Sequence, residues 1–125
     1  MKALRKKNGF SLIEMIVVIA IIGILAAIVV PNFSSFLDRG RIATAVTDAS
    51  QLASNINTYS LTQPTPLDAN ALSDPTLKDG LIAKNLLPQL SADFETAIKN
   101  VMFNPDTRLF EAKPRDEIAK NLDGY

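Results

Sequence analysis

Glu14 is the residue that stands out as a candidate for chemistry, because it is a lone carboxylate in an apolar stretch. Between Phe10 and Val30 the only polar side chains are Ser11 and Glu14. An acid at the centre of a membrane helix costs on the order of 2.5–3.5 kcal/mol, and less near an interface. Two interpretations remain open: Glu14 snorkels towards lipid headgroups, or it pairs with a cation.

Other chemistries find little support in the composition. The chain has no Cys and no His, which excludes disulfides, thiol nucleophiles, His bases and Cys/His zinc sites. Asp116, Glu117 and Asp123 could attract calcium, but their spacing fits no calcium loop, so we predict a solvated acidic tail and no metal or cofactor. Without a nucleophile–base pair or a phosphate-binding loop, no catalytic residue and no enzyme activity are predicted.

The apolar segment, defined as Phe10–Val30, sets where Glu14 lies. As a helix its 21 residues would extend roughly 31 Å, close to the thickness of the bilayer's hydrocarbon core. Four basic residues and no acid precede it in MKALRKKNG, which favours a span with this flank inside the cell. A secretory signal peptide fits less well, because Pro31-Asn32-Phe33 follows in place of a small-residue cleavage site.

The order of residues at this end resembles the class III signal of type IV pilins and the related pseudopilins. The matching features are a basic leader, Gly9, the aromatic Phe10 and Glu14 four residues later. The resemblance implies that a membrane peptidase cuts between Gly9 and Phe10 on the cytoplasmic side and N-methylates the new terminus at Phe10. It also implies that Glu14 pairs with the Phe10 amine of a neighbouring subunit. Such head-to-tail pairing propagates as an open helix of subunits.

From Asn32 to Leu61 the pattern becomes amphipathic. We predict one helix from about Ser11 to about Thr62, stopped by Thr62–Pro66. Asp48 and Asn55 are among the polar residues that alternate with the apolar face and are predicted to lie outside it. The apolar face contains Phe33, Phe36, Leu37, Ile42, Ala45, Val46, Ala49, Leu52, Ala53, Ile56 and Tyr59.

Residues 63–125 form a predicted lobe that is too small to fold well without the helix. We expect it to pack on Ile42, Val46, Ala49, Leu52 and Ile56. Segments 101–103 and 108–112 predict a β-hairpin around an Asn-Pro-Asp turn, with two to four strands in all. Residues 81–87 predict a short helix, residues 91–95 a turn or the start of a strand, and residues 115–125 a short helix or a mobile end.

The predicted fold class is therefore α+β and pilin-like. It has a removed leader (residues 1–9), a long N-terminal helix (10–62) and a small C-terminal antiparallel β lobe (63–125). The first half of the helix (10–30) is transmembrane and the second half is amphipathic. Removal of the leader leaves nine basic against 13 acidic residues, so no direct contact with nucleic acid is expected.

The resemblance implies a structural subunit of a type IV pilus-like filament. Its partners would be copies of itself and other pilins, the prepilin peptidase and methyltransferase, and an inner-membrane assembly platform. The precursor would cross the bacterial cytoplasmic membrane once, with its lobe outside, before joining an extracellular or periplasmic filament. The alternatives are a pseudopilin of a type II secretion system, a subunit of a competence pilus for DNA uptake, or a single-pass membrane protein whose lobe binds a ligand without polymerising.

N-terminal sequencing of the protein from its own cells separates filament subunits from the single-pass alternative. The resemblance implies a mature chain that begins at N-methylated Phe10 and keeps the apolar segment. An intact leader on the mature protein would support the single-pass interpretation.

Overall fold

The computed structural model describes residues 11–125. Gly9 and Phe10, the predicted cleavage site, lie outside the described residues. The chain divides into two compact units, one that ends at Asp38 and one that spans Arg39–Tyr125. The predicted long helix is confirmed as helix α1, Leu12–Leu61, whose ends lie within one residue of the expected ones.

In the unit that ends at Asp38, helix α1 exposes its side chains on every face. Within residues 11–125 this is the one helix long and apolar enough to cross a membrane, with a mean hydropathy of 3.1 over 18 residues and none of them buried. Leu12 is 80% exposed and Ile24 is 64% exposed. Pro31 lies inside the helix. A helix that is apolar all round requires lipid or other helices to cover it.

In the unit Arg39–Tyr125, the second half of α1 supplies one side of a small core. Its buried apolar residues recur every three or four positions, which places them on one face. We call this face the core stripe: Ala45, Ala49, Leu52, Ala53 and Ile56. The lobe covers it with Ala71, Leu77, Leu81, Ala97, Val101, Phe110 and Ile118. Two residues that were predicted to contact the lobe are not part of this buried core. Val46 packs only at its edge, and Ile42 is half-buried outside it.

The lobe consists of short elements joined by tight connections. The predicted β-hairpin is confirmed, and the structure describes two strands, at the lower end of the predicted number. Of the two alternatives for residues 115–125, a short helix is present at Arg115–Ala119. In chain order the elements are a 3-10 helix (Ala69–Ser73), α2 (Leu77–Ala83), α3 (Phe94–Ile98), β1 (Val101–Asn104), β2 (Leu109–Ala112) and α4 (Arg115–Ala119).

One local prediction was displaced along the chain, and one was wrong. The helix expected at residues 81–87 begins four residues earlier, because Asp74 Oδ1 accepts hydrogen bonds from Thr76 N at 2.8 Å and Thr76 Oγ1 at 2.7 Å and orders the turn before it. It ends at Ala83, two residues before Asn85, whose φ of 58° is left-handed and cannot continue an α-helix. The segment considered a turn or strand start at residues 91–95 instead enters helix α3.

The hairpin turn is held by Asn104. Its Oδ1 accepts from Asp106 N at 2.9 Å, and its carbonyl accepts from Arg108 N at 2.7 Å. The strands pair antiparallel with Phe103 opposite Phe110. Arg108 closes the turn with φ of 59°, the left-handed region that glycine adopts without steric cost.

Replacement of Arg108 tests this backbone geometry. Arg108→Val should destabilise the lobe by about 1 kcal/mol, because a β-branched residue tolerates positive φ poorly. Arg108→Gly should be neutral or stabilising, since relief of the strain offsets the added freedom of the unfolded chain. Thermal unfolding in detergent micelles, followed by tyrosine fluorescence, measures the difference, because Tyr59 and Tyr125 both lie in the unit Arg39–Tyr125. Equal losses in both variants would contradict a role for backbone strain.

Candidate assembly site

Glu14 lies in the first turn of α1, where Ser11 caps the helix. Glu14 N donates to Ser11 Oγ at 3.3 Å, and Met15 N donates to the Ser11 carbonyl at 3.3 Å. Ser followed three residues later by Glu is the spacing of a helix capping box. Since Cα–Cβ bonds tilt towards a helix N-terminus, the Glu14 side chain starts out in that direction.

The surroundings of Glu14 are apolar and open. Ile13, Val17 and Val18 line a shallow concavity with it on the helix surface. From Ser11 to Leu37 no other Asp, Glu, Lys or Arg occurs. Covered by lipid or by other helices, this carboxylate would need a cation or hydrogen-bond donors from outside the stretch. The site can therefore accept a positive group near the start of α1.

The structure places only part of the predicted site. Glu14 is exposed at the beginning of α1. Gly9 and Phe10 lie outside the described residues, so cleavage, N-methylation and the pairing of Phe10 with Glu14 stay predictions. The acidic residues near the end of the chain, Asp116, Glu117 and Asp123, are all exposed. Among residues 11–125, no group of three or more His, Cys, Asp or Glu could hold a metal ion.

A second set of functional side chains was missed from the sequence. These four polar residues of α1 bind the backbone of the lobe, and we call them the anchoring residues: Asp48, Asn55, Asn57 and Ser60. Asn55 Nδ2 donates to the Leu86 carbonyl at 2.7 Å, and Ser60 Oγ accepts from Leu67 N at 2.9 Å. The lobe is thus fastened to the helix by hydrogen bonds as well as by the core stripe.

Asn57 holds the free edge of strand β2. Its Nδ2 donates to the Phe110 carbonyl at 2.9 Å, and its Oδ1 accepts from Phe110 N at 2.7 Å. One amide side chain therefore satisfies both backbone groups that Phe110 would offer to a neighbouring strand. The Phe110 ring is buried and lies 5.1 Å from the Phe103 ring, centroid to centroid.

Asp48 joins two distant segments of the lobe to α1. It is 3% exposed, although the sequence pattern predicted that it lies outside the apolar face. Ser91 N donates to both carboxylate oxygens, at 3.0 and 3.2 Å, and Tyr125 Oη donates to Oδ2 at 3.0 Å. Its spacing of three residues from Ala45 and four from Leu52 was the signal of an inward position.

The pKa of Tyr125 is raised above its ordinary value of 10.0. Burial is the larger cause, and the hydrogen bond and the negative charge of Asp48 add to it. Both effects favour the neutral phenol, which is the form that can donate to the carboxylate.

A family model and several curated proteins match this chain. The model is described as a prokaryotic N-terminal methylation motif and matches residues 4–30. The type IV major fimbrial protein FimA of Dichelobacter nodosus is 41% identical over 58 residues, 46% of this chain and 36% of FimA. The type II secretion system core protein G of Vibrio cholerae is 43% identical over 61 residues, 49% of this chain and 42% of that protein.

A longer alignment includes the lobe. The type II secretion system core protein G of Escherichia coli strain K12 is 34% identical over 110 residues, 84% of this chain and 70% of that protein. The match to FimA spans little more than a third of that protein. No solved structure matches the chain with significance.

Tyr125→Phe tests the bond between the tail and Asp48. The variant should lose about 1 kcal/mol of stability at neutral pH, where one hydrogen bond to a buried carboxylate is removed. The folded-state pKa of Tyr125 lies above the unfolded value of about 10, so the stability that this hydrogen bond contributes is complete below that pH. As the pH rises further, this contribution is lost. The gap between wild type and variant should therefore shrink above that pH.

Urea unfolding of the full-length protein in micelles, at neutral pH and above pH 10, gives both quantities. A gap that stays constant with pH would contradict the bond from the Tyr125 hydroxyl.

Proposed function

Because the chain belongs to the family of type IV pilins and type II secretion pseudopilins, we propose that it is a structural subunit of a type IV pilus-like filament. The observation that carries the proposal is the exposed first half of α1, apolar on every face and interrupted by one acid. Such a surface is covered by lipid in the precursor and by copies of the same helix in a filament.

Transfer of the first half of α1 from lipid into a helical bundle changes its apolar surroundings little. Lipid tails and packed helices are both apolar, so van der Waals packing and polar pairs determine which state is favoured. Glu14 is the polar group available for this purpose near the start of α1. Its proposed partner is the α-amine of Phe10 on the next subunit, and N-methylation leaves that amine able to carry its positive charge.

This pairing requires removal of the leader between Gly9 and Phe10, because the amine does not exist in the precursor. We therefore propose processing by a prepilin peptidase and methyltransferase, and assembly on an inner-membrane platform. The precursor crosses the cytoplasmic membrane once with its lobe outside. The anchoring residues keep the lobe on α1 while the apolar half of the helix changes its surroundings. We propose no catalytic step and no contact with nucleic acid for this subunit.

A second candidate within the family is a pseudopilin of a type II secretion system. The alignment with the Escherichia coli core protein G, which covers 84% of this chain, supports it. A subunit of a competence pilus for DNA uptake stays an alternative. Deletion of the gene separates the three candidates. Loss of surface pili would identify a type IV pilus, loss of exported enzymes from the medium a type II secretion system, and loss of transformation a competence pilus.

Glu14→Ala tests the assembly site. The variant should insert into the membrane as wild type does, because removal of a charge from a span does not hinder insertion. Filaments should fall below detection, since an unpartnered buried charge costs about 3–5 kcal/mol at each subunit contact. Met15→Ala, which shortens the next side chain without removal of a charge, is the matched control. Membrane fractionation and electron microscopy of sheared filaments provide the measurements, and a normal filament yield from Glu14→Ala would support snorkelling.

A further inference from the structure

An open groove of about 920 Å³ lies beside the second half of α1, within the unit Arg39–Tyr125. Ser50, Gln51 and Ser54 line it from the helix, and residues 88–91 line it from the lobe. The three helix side chains are exposed. The groove therefore presents hydroxyl and amide groups to its surroundings, and none of its lining residues is charged.

Two of the anchoring residues account for the groove. Asn55 holds the Leu86 carbonyl, and Asp48 holds the Ser91 N–H. These two anchors are seven residues apart on α1, about 10 Å along the helix axis. The chain from Leu86 to Ser91 can extend to about 17 Å. It is longer than the distance between its anchors, so it bows away from the helix and leaves a groove with fixed walls.

A second uncharged feature follows the end of α1. We call residues 62–66, with the sequence Thr-Gln-Pro-Thr-Pro, the proline loop. Ser60 holds both sides of it, because its carbonyl accepts from Gln63 N at 3.2 Å and its Oγ accepts from Leu67 N at 2.9 Å. The two prolines restrict the backbone further. The proline loop is mostly exposed and has little conformational freedom to lose on binding.

The groove and the proline loop have complementary hydrogen-bonding groups. Proline has no N–H, so the loop offers mainly carbonyl acceptors, and within residues 11–125 the carbonyls of residues 63–66 accept no backbone hydrogen bond. The groove offers donors. These are the hydroxyls of Ser50 and Ser54 and the N–H groups of Gln89 and Leu90, which donate to no backbone acceptor in the described part of the chain.

The charge of this region also matches a contact surface. In residues 42–67 the one charged side chain is Asp48, which is 3% exposed, although 21% of the whole chain is charged. Depletion of charged residues marks the core of protein interfaces. The proline loop stays at Ser60, about 9 Å beyond Ser54 along the helix axis, so it does not fill the groove of its own chain.

We propose that the groove of one subunit binds the proline loop of a second copy. Each copy carries one groove and one loop on different surfaces, so the contact is head-to-tail and can repeat along a filament. This inference rests on the proposed function, because it requires copies of the chain to assemble. It adds a contact in the unit Arg39–Tyr125 to the proposed pairing of Glu14.

Disulfide crosslinking tests the contact, because the chain has no cysteine of its own. Ser54→Cys and Thr65→Cys are placed on separate chains with different tags and expressed together in cells that assemble the filament. We expect a disulfide-linked heterodimer in sheared filaments, since a disulfide requires Cα atoms within about 7 Å of each other. Thr107→Cys, which is exposed in the hairpin turn, replaces Thr65→Cys as the matched control and should give about ten-fold less heterodimer.

A pair of substitutions at Ser54 provides an independent measurement. Ser54→Asp should lower the yield of filaments about ten-fold, because its carboxylate would face carbonyl acceptors and lose its hydration. Ser54→Ala should keep most of the yield. Both variants should unfold as wild type does in micelles, because Ser54 is exposed in the single chain.

The outcomes separate this contact from the proposed function. Normal filaments without the Ser54–Thr65 crosslink, equal crosslinking with Thr107→Cys, or a normal filament yield from Ser54→Asp would overturn the contact and leave the proposed function standing. Absence of filaments from cells that express the wild-type chain would overturn both.

Discussion

The structure depends on one constraint: a single helix carries more apolar surface than its own chain can cover. Among the described residues, the lobe covers the core stripe and its neighbours in the second half of α1. The first half of the helix keeps large apolar side chains exposed on every face. Since burial of apolar surface contributes about 25 cal/mol per Å², this half always requires lipid or other helices around it. The change between those surroundings is the basis of the proposed function.

The two halves of α1 use polar residues in different ways. In the first half Glu14 is the one charged side chain between Ser11 and Leu37, and we propose that it pairs with another chain. In the second half Asp48, Asn55 and Asn57 are satisfied by the backbone of the lobe. Buried polar groups are costly when unpaired. The same rule accounts for the inward position of these residues in the second half and supports the proposed pairing of Glu14 in the first.

The long helix and the hairpin were predictable from the sequence, and the bounds of the short elements were less predictable. The helix and the hairpin followed from hydrophobic spacing and from the Asn-Pro-Asp turn. Helix α2 was misplaced because its start depends on the hydrogen bonds of Asp74 and its end on the left-handed Asn85. Asp48 was misjudged because residue type suggested solvent, whereas its inward position depends on Ser91 and Tyr125, which are distant in the sequence. Glu14 stood out because the residues around it are apolar.

The amide of Asn57 against strand β2 has a consequence for how these molecules can associate. A two-stranded sheet with an open edge is a template for cross-β aggregation, a hazard for any protein concentrated in a membrane. Here a helix side chain occupies both backbone groups of Phe110, and the 3-10 helix lies against β1. Unwanted strand addition at the protected edge is therefore disfavoured, which leaves the proposed polymerisation to the helix.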